Sequence, residues 1–149
     1  MKQKIQKTIF PLILLFSILI CIPSISKSQD FNSYLGKSKA EIINILSNND
    51  KLTFSGINQS KDGVQFLHYV YKENANFSEA FFFDNESVCF TIKHIYPVTL
   101  YIETVRTLNS RSNLELKSND FWVDMDQRLT YGIRMVPGTK SFAIEVAKF

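Results

Sequence analysis

The sequence predicts an α+β domain, a mostly antiparallel sheet with two helices, placed behind an export signal. Three observations carry that expectation. Two short segments, 38–48 and 100–109, space their apolar residues as helices do. Each is followed by several short runs rich in Val, Ile, Phe and Tyr, many of them alternating, as strands do. Short polar turns separate those runs, and hairpin-length links pair strands antiparallel.

The elements are justified in chain order. Lys2, Lys4 and Lys7 make a positive start without any acid, and Ile9 to Ile22 is an uncharged run of 14 residues. As helix such a run reaches about 21 Å, short of a bilayer core of about 30 Å and suited to the hydrophobic region of a signal peptide. Pro23 breaks it. Ser26 and Ser28 then stand at −3 and −1 of a cleavage before Gln29, with cleavage after Ser26 as the alternative. Residues 1–28 are read as a signal peptide and 29–149 as one domain, periplasmic or secreted and without a membrane span once the signal is removed. Ile20 stands where a lipidation cysteine needs a small neighbour, so Cys21 is read as part of the signal rather than a lipoprotein anchor.

Removal of the signal changes the bulk chemistry. Four of the 17 basic residues lie before residue 29 and none of the 14 acidic ones do, which leaves 13 against 14, a net of −1. No basic surface remains to hold phosphates, so nucleic acid is not an expected partner. Cys89 is then the sole cysteine and no intramolecular disulfide can form. The domain must hold itself together by packing, and its Phe, Tyr and Trp122 supply the material.

Ser38 and Glu41 have the spacing of a capping box. Ile42, Ile43, Ile45 and Leu46 follow on one broad face, predicting a helix over 38–48. Strands are expected at 52–58, 64–72, 77–83 and 87–96, with turns at Lys61-Asp62-Gly63 and, tightly, at Asp84-Asn85. On the last of these, Val88, Phe90 and Ile92 are assigned to one face and Cys89, Thr91 and Lys93 to the other. Pro97 ends that strand and suits the entry to a second helix, running to about Asn109. Further strands are expected at 114–117, 120–126, 128–136 and 140–148, with Phe142, Ile144 and Val146 facing inward and Pro137-Gly138 as a type II turn. Both halves, about 34–96 and 97–149, read as a helix followed by antiparallel strands, which predicts two similar tandem units. A helix covers one face of each sheet, and the other face is left to water or a partner.

The Gly36-x-Ser38-x-x-Glu41 start, the short helix after it and the Phe81-x-Phe83-Asp84-Asn85 hairpin resemble the small envelope domains of the BamE (SmpA/OmlA-like) type. The doubled order of helix and sheet resembles the β-lactamase inhibitor protein. Phe-rich hairpins, a Cys on the returning strand, Gln29 and a Trp in the second half are similar to a group of small secreted Bacteroidota-type proteins. These resemblances imply an exported binding or assembly module, not an enzyme. The expected partner is another envelope or secreted protein, with inhibition of a secreted enzyme as the alternative and a small hydrolase or thiol enzyme behind both.

Candidate chemistry is sparse. Cys89 and His94 could serve as nucleophile and base, but residues five apart on a regular strand face opposite ways, and nothing in the sequence signals a bulge between them. His68 and His94 are the only histidines, without a ligand spacing that zinc requires, so neither a metal nor a cofactor is expected. Asp124 and Asp126 would share a strand face, which is more simply a solvated face than a paired-carboxylate site. With Phe121, Val123 and Met125 assigned inward, Trp122 points outward, where aromatics and Arg anchor partners. Trp122, Tyr69, Tyr71 and Arg134 are therefore the candidate contacts on an open sheet face.

Overall fold

The computed structural model describes residues 33–149. The segment read as the export signal, with Cys21 and the cleavage site before Gln29, lies outside the described residues. Helix α1 (Lys39–Ser47) leads into β1 (Leu52–Gln59), β2 (Gln65–Tyr71), β3 (Ser78–Phe83) and β4 (Cys89–Pro97). A 3-10 turn at Val98–Leu100 opens α2 (Tyr101–Asn109), and β5 (Glu115–Ser118), β6 (Phe121–Asp124), β7 (Leu129–Met135) and β8 (Ser141–Lys148) follow. The eight strands form one sheet in the order β1-β2-β3-β4-β8-β7-β6-β5, every neighbouring pair antiparallel. The chain is thus α+β and mostly sheet.

The capping box starts α1 as its spacing implies. The Ser38 N–H donates to Glu41 Oε2 at 2.8 Å, and the Glu41 N–H donates to Ser38 Oγ at 3.3 Å. The buried stripe is narrower than expected: Ile42 and Leu46 are buried, whereas Ile43 and Ile45 are each 41% exposed. A nine-residue helix lays only one i, i+4 row onto a sheet. In α2 the buried residue is Leu108, and the Tyr101 ring meets Phe142 edge-on at 5.6 Å.

Both helices pack on the same face of the sheet. Ile42, Leu46 and Leu108 join one core with Leu67, Phe81, Ile92, Trp122, Phe142 and Val146, which the strand registers place on a single face. Burial of side chains of this size stabilises the fold by about 1.5–3 kcal/mol each. The inward set expected for β8, Phe142, Ile144 and Val146, is buried.

Register shifts fall in three of the strand pairings, and two of them set which side chains reach that core. One lies in β1, where Phe54 pairs with Tyr69 and Gly56 with His68, so that Ser55 is the extra residue. The other lies in β4, where Phe82 pairs with Thr91 but Phe83 with Cys89. Phe90 is the extra residue there, and the face assignment expected for this strand is overturned: Cys89 is buried in the core with Ile92, while Phe90 is 44% exposed. The turn before β4 is also longer than the expected tight hairpin. Asp84 Oδ1 accepts the N–H groups of Glu86 and Val88, each at 2.9 Å, and Ser87 takes a left-handed φ of 62°. The Pro137-Gly138 turn has its Gly at φ 76°, the sign a type II turn needs at its third residue.

Candidate functional site

The four expected contact residues do not share a face. Trp122 is 0% exposed in the core, and its Nε1–H donates to Asn109 Oδ1 at 2.8 Å. β6 carries apolar residues at both parities, so alternation alone does not choose its inward side. The choice falls on Trp122 because it pairs with Tyr131 on the helix-covered face and the end of α2 accepts its indole proton. Phe121 and Met125, expected inward, are 38% and 63% exposed. Tyr69 is likewise buried, and its ring meets Phe81 edge-on at 5.9 Å. Tyr71 is half-buried on that same covered side, where its hydroxyl donates to Glu79 Oε1 at 2.6 Å. Arg134 alone of the four is exposed on the opposite face.

That opposite face runs uncovered by either helix across the sheet. The registers line its side chains into rows. One row passes Phe66, Phe82, Thr91, Ala147, Thr130 and Val123, and the next passes His68, Ala80, Lys93, Glu145, Gly132 and Phe121. The rings of Phe66 and Phe82 stack at 4.8 Å on one side, and Phe121 stands on the other. Between them, on β4, β8 and β7, stand Thr91 and Lys93, Ala147 and Glu145, and Thr130 and Gly132, and the Phe121 ring lies 3.8 Å from where a Cβ on Gly132 would be. Lys93 Nζ lies 4.8 Å from the Phe82 ring centre and 3.2 Å from Glu145 Oε2, which places an ion pair across β4 and β8. Half-exposed pairs of this kind contribute about 0–1 kcal/mol to stability and more to orientation.

A second constellation escaped the sequence reading. Glu79 on β3 and His94 on β4 are paired residues on the covered face, and both are buried. His94 Nδ1 lies 3.6 Å from Glu79 Oε1, an ion-pair distance longer than a good hydrogen bond. Glu79 Oε2 is buried with no hydrogen-bond partner among the described residues. Burial raises the Glu79 carboxyl, but the His94 contact and charge, with the Tyr71 hydroxyl, outweigh it, so the carboxyl lies below its ordinary range. Burial first, and then the Glu79 charge, push the Tyr71 phenol upward. A buried acid and base thus meet beside a half-buried phenol, an arrangement suited to holding strands in register rather than to meeting a substrate. The signal for it lay in Glu79 itself, a lone acid inside the apolar 77–83 run.

The remaining candidates separate. The β4 bulge returns Cys89 to the face of His94, as parity would not, yet the Cys89 thiol is buried and its Sγ–H points to Thr91 O at 3.7 Å. Burial pushes this thiol up to about 12, the reverse of an activated nucleophile. With Cys21 replaced by Ser, a thiol reagent at pH 8 is expected to leave folded protein unlabelled over the time in which urea-unfolded protein labels completely. Rapid labelling of the native chain would refute that placement. Asp124 and Asp126 do not share a face either. Asp124 is buried and accepts from Asn113 Nδ2 at 2.6 Å and from the Gln127 N–H at 3.0 Å, whereas Asp126 lines a shallow groove of about 340 Å3 with Ser112, Asn113 and Glu115. His68 is half-buried on the uncovered face, and its imidazole is lowered by burial. Among the described residues, no group of three or more His, Cys, Asp or Glu is placed to hold a metal, and no helix is long and apolar enough to cross a membrane.

No family model, no curated protein and no solved structure matches the chain.

Proposed function

We propose that this chain is an exported, non-catalytic module that docks another envelope or secreted protein on the uncovered face of its sheet. One observation carries the reading: both helices lie on one face, and the other is a continuous eight-strand surface with aromatic residues on either side of the Lys93–Glu145 ion pair. Aromatic residues beside Arg are the usual anchors of a protein interface, and Phe66, Phe82, Phe121 and Arg134 supply them here. Inhibition of a secreted enzyme uses the same physics with a different target. The buried Cys89 and the sealed Glu79–His94 pair weigh against the hydrolase or thiol-enzyme reading.

The strand order supports a further part of this reading, that the chain is a tandem of two similar units. A helix precedes four strands twice, and the order β1-β2-β3-β4 meets β8-β7-β6-β5 at the β4–β8 seam. That order is in keeping with the doubled architecture of the β-lactamase inhibitor protein that the sequence resembles.

Affinity capture from the cell envelope and medium tests the docking face, with Phe66→Asp and Phe121→Asp as variants shown to be folded. A partner held by the natural protein and released by both variants is the expected result. A partner retained by both places the docking surface elsewhere. If the partner is an enzyme and loses activity on binding, the inhibitor reading is the correct one. Intact mass of the exported protein is expected to begin at Gln29, and a diacylglycerol on Cys21 would overturn that processing.

A further inference from the structure

The two edges of the sheet are built differently. β5, at one end, is four residues long and carries Glu115 and Lys117, the short charged edge that discourages pairing with other chains. β1, at the other end, is eight residues long and holds neither a charge nor a proline. Two apolar side chains stand open on it, Phe54 at 51% and Ile57 at 54% exposure. Residues three apart on a regular strand face opposite ways. The bulge at Ser55 brings Phe54 and Ile57 onto the same, helix-bearing face, beside Tyr69 and Leu67 of β2.

From this edge we infer that β1 pairs antiparallel with β1 of a second copy about a two-fold axis through Ser55 and Gly56, joining two sheets into one of sixteen strands. Three features of the chain select that occupant. A bulged edge is poorly matched by a regular strand, whereas a second copy brings the same bulge to the same place. A two-fold normal to the sheet keeps the helix-bearing faces on one side and sets Phe54 opposite Ile57 of the other copy, twice, so both exposed apolar side chains gain a partner. Just beyond the strand ends, the turns that hold Asp50 and Lys61 come alongside the turns that hold Lys61 and Asp50 of the other copy, and no like charges meet along the strand itself. The surface involved is an edge, so it leaves the uncovered face available for a different partner.

Sedimentation velocity of the whole protein across concentrations tests the inference, with far-UV circular dichroism to confirm folding of each variant. The natural chain is expected to shift from monomer to dimer in the micromolar range. Ile57→Lys is expected to remain monomeric at the highest concentration. Asp50→Lys and Lys61→Asp are each expected to weaken the dimer at least fivefold, and the double exchange Asp50→Lys with Lys61→Asp to restore it. A natural chain that stays monomeric, a dimer untouched by Ile57→Lys, or a double exchange without recovery would each overturn the register. If the dimer is abolished by Phe121→Asp instead, self-association uses the uncovered face and the β1 inference is wrong.

Discussion

Replacement of Glu79 by Ala is expected to lower the unfolding free energy by about 3–5 kcal/mol, the range for breaking a buried charge pair from one side. The size follows from what is left behind. His94 stays in the core without its carboxylate, and the Tyr71 hydroxyl loses an acceptor at 2.6 Å. Glu79→Gln keeps the shape and an acceptor, so the difference between the two variants separates charge from cavity. The paired replacement Glu79→Leu with His94→Phe is expected to recover most of the loss, because an apolar pair of similar volume carries no desolvation cost. Urea midpoints measure all four proteins, and a Glu79→Ala chain with the natural midpoint would show that the pair is energetically idle. The same residue sets a pH dependence. Its folded carboxyl lies below the ordinary value of 4.5, so it binds protons more readily when unfolded. Its contribution is complete above that value and disappears as pH falls through the lower folded value. The natural protein should therefore lose stability on acidification more steeply than Glu79→Gln does.

Trp122→Ala is the second large effect, about 3–5 kcal/mol for removal of a fully buried Trp. The indole sits between the sheet and the end of α2, so the substitution opens a cavity and cuts a tether to the helix at once. Trp122→Phe keeps most of the buried ring. Asn109 is exposed and can turn to water when the indole N–H is gone, so the expected loss is only about 1 kcal/mol. Trp122 is the only tryptophan, which makes the measurement direct. Its emission should be blue-shifted in the folded protein and move to the red across the unfolding transition. An emission maximum typical of water-exposed indole in the folded protein would contradict the burial described here.

The elements were legible because their signals are local. The Ser38–Glu41 box, the Asp62-Gly63 and Pro137-Gly138 turns and the alternation in 141–148 act within a few residues, and the corresponding helix and strands lie where those signals put them. Face assignment failed where a decision depends on a distant strand. Nothing near Phe90 announces a bulge, since the bulge exists only relative to Phe82 and Phe83 across the hairpin. In β6, Phe121-Trp122-Val123 satisfies either parity, and the decision rests on Tyr131 and Asn109. The candidate contacts suffered accordingly. Arg134 was placed on the uncovered face, while Trp122 and Tyr69 belong to the core, and the aromatic members of that face are Phe66, Phe82 and Phe121. The Glu79–His94 pair was hidden because its members are fifteen positions apart and meet only through register.

The place of β8 has a consequence for the order in which the molecule can be made. It lies between β4 and β7, and no other strand joins the two parts of the sheet. On the ribosome it is the last of the eight strands to emerge. Until it does, β4 shows one open edge and β7 another, and each invites the wrong neighbour. A chain cut short before residue 141 would keep both helices and seven strands yet have no single sheet. Glu145, Ala147 and the centre of the uncovered face arrive only with β8. A surface assembled this way exists only once β8 is in place, so a partner that recognises its centre also counts only those chains whose synthesis has run through that strand.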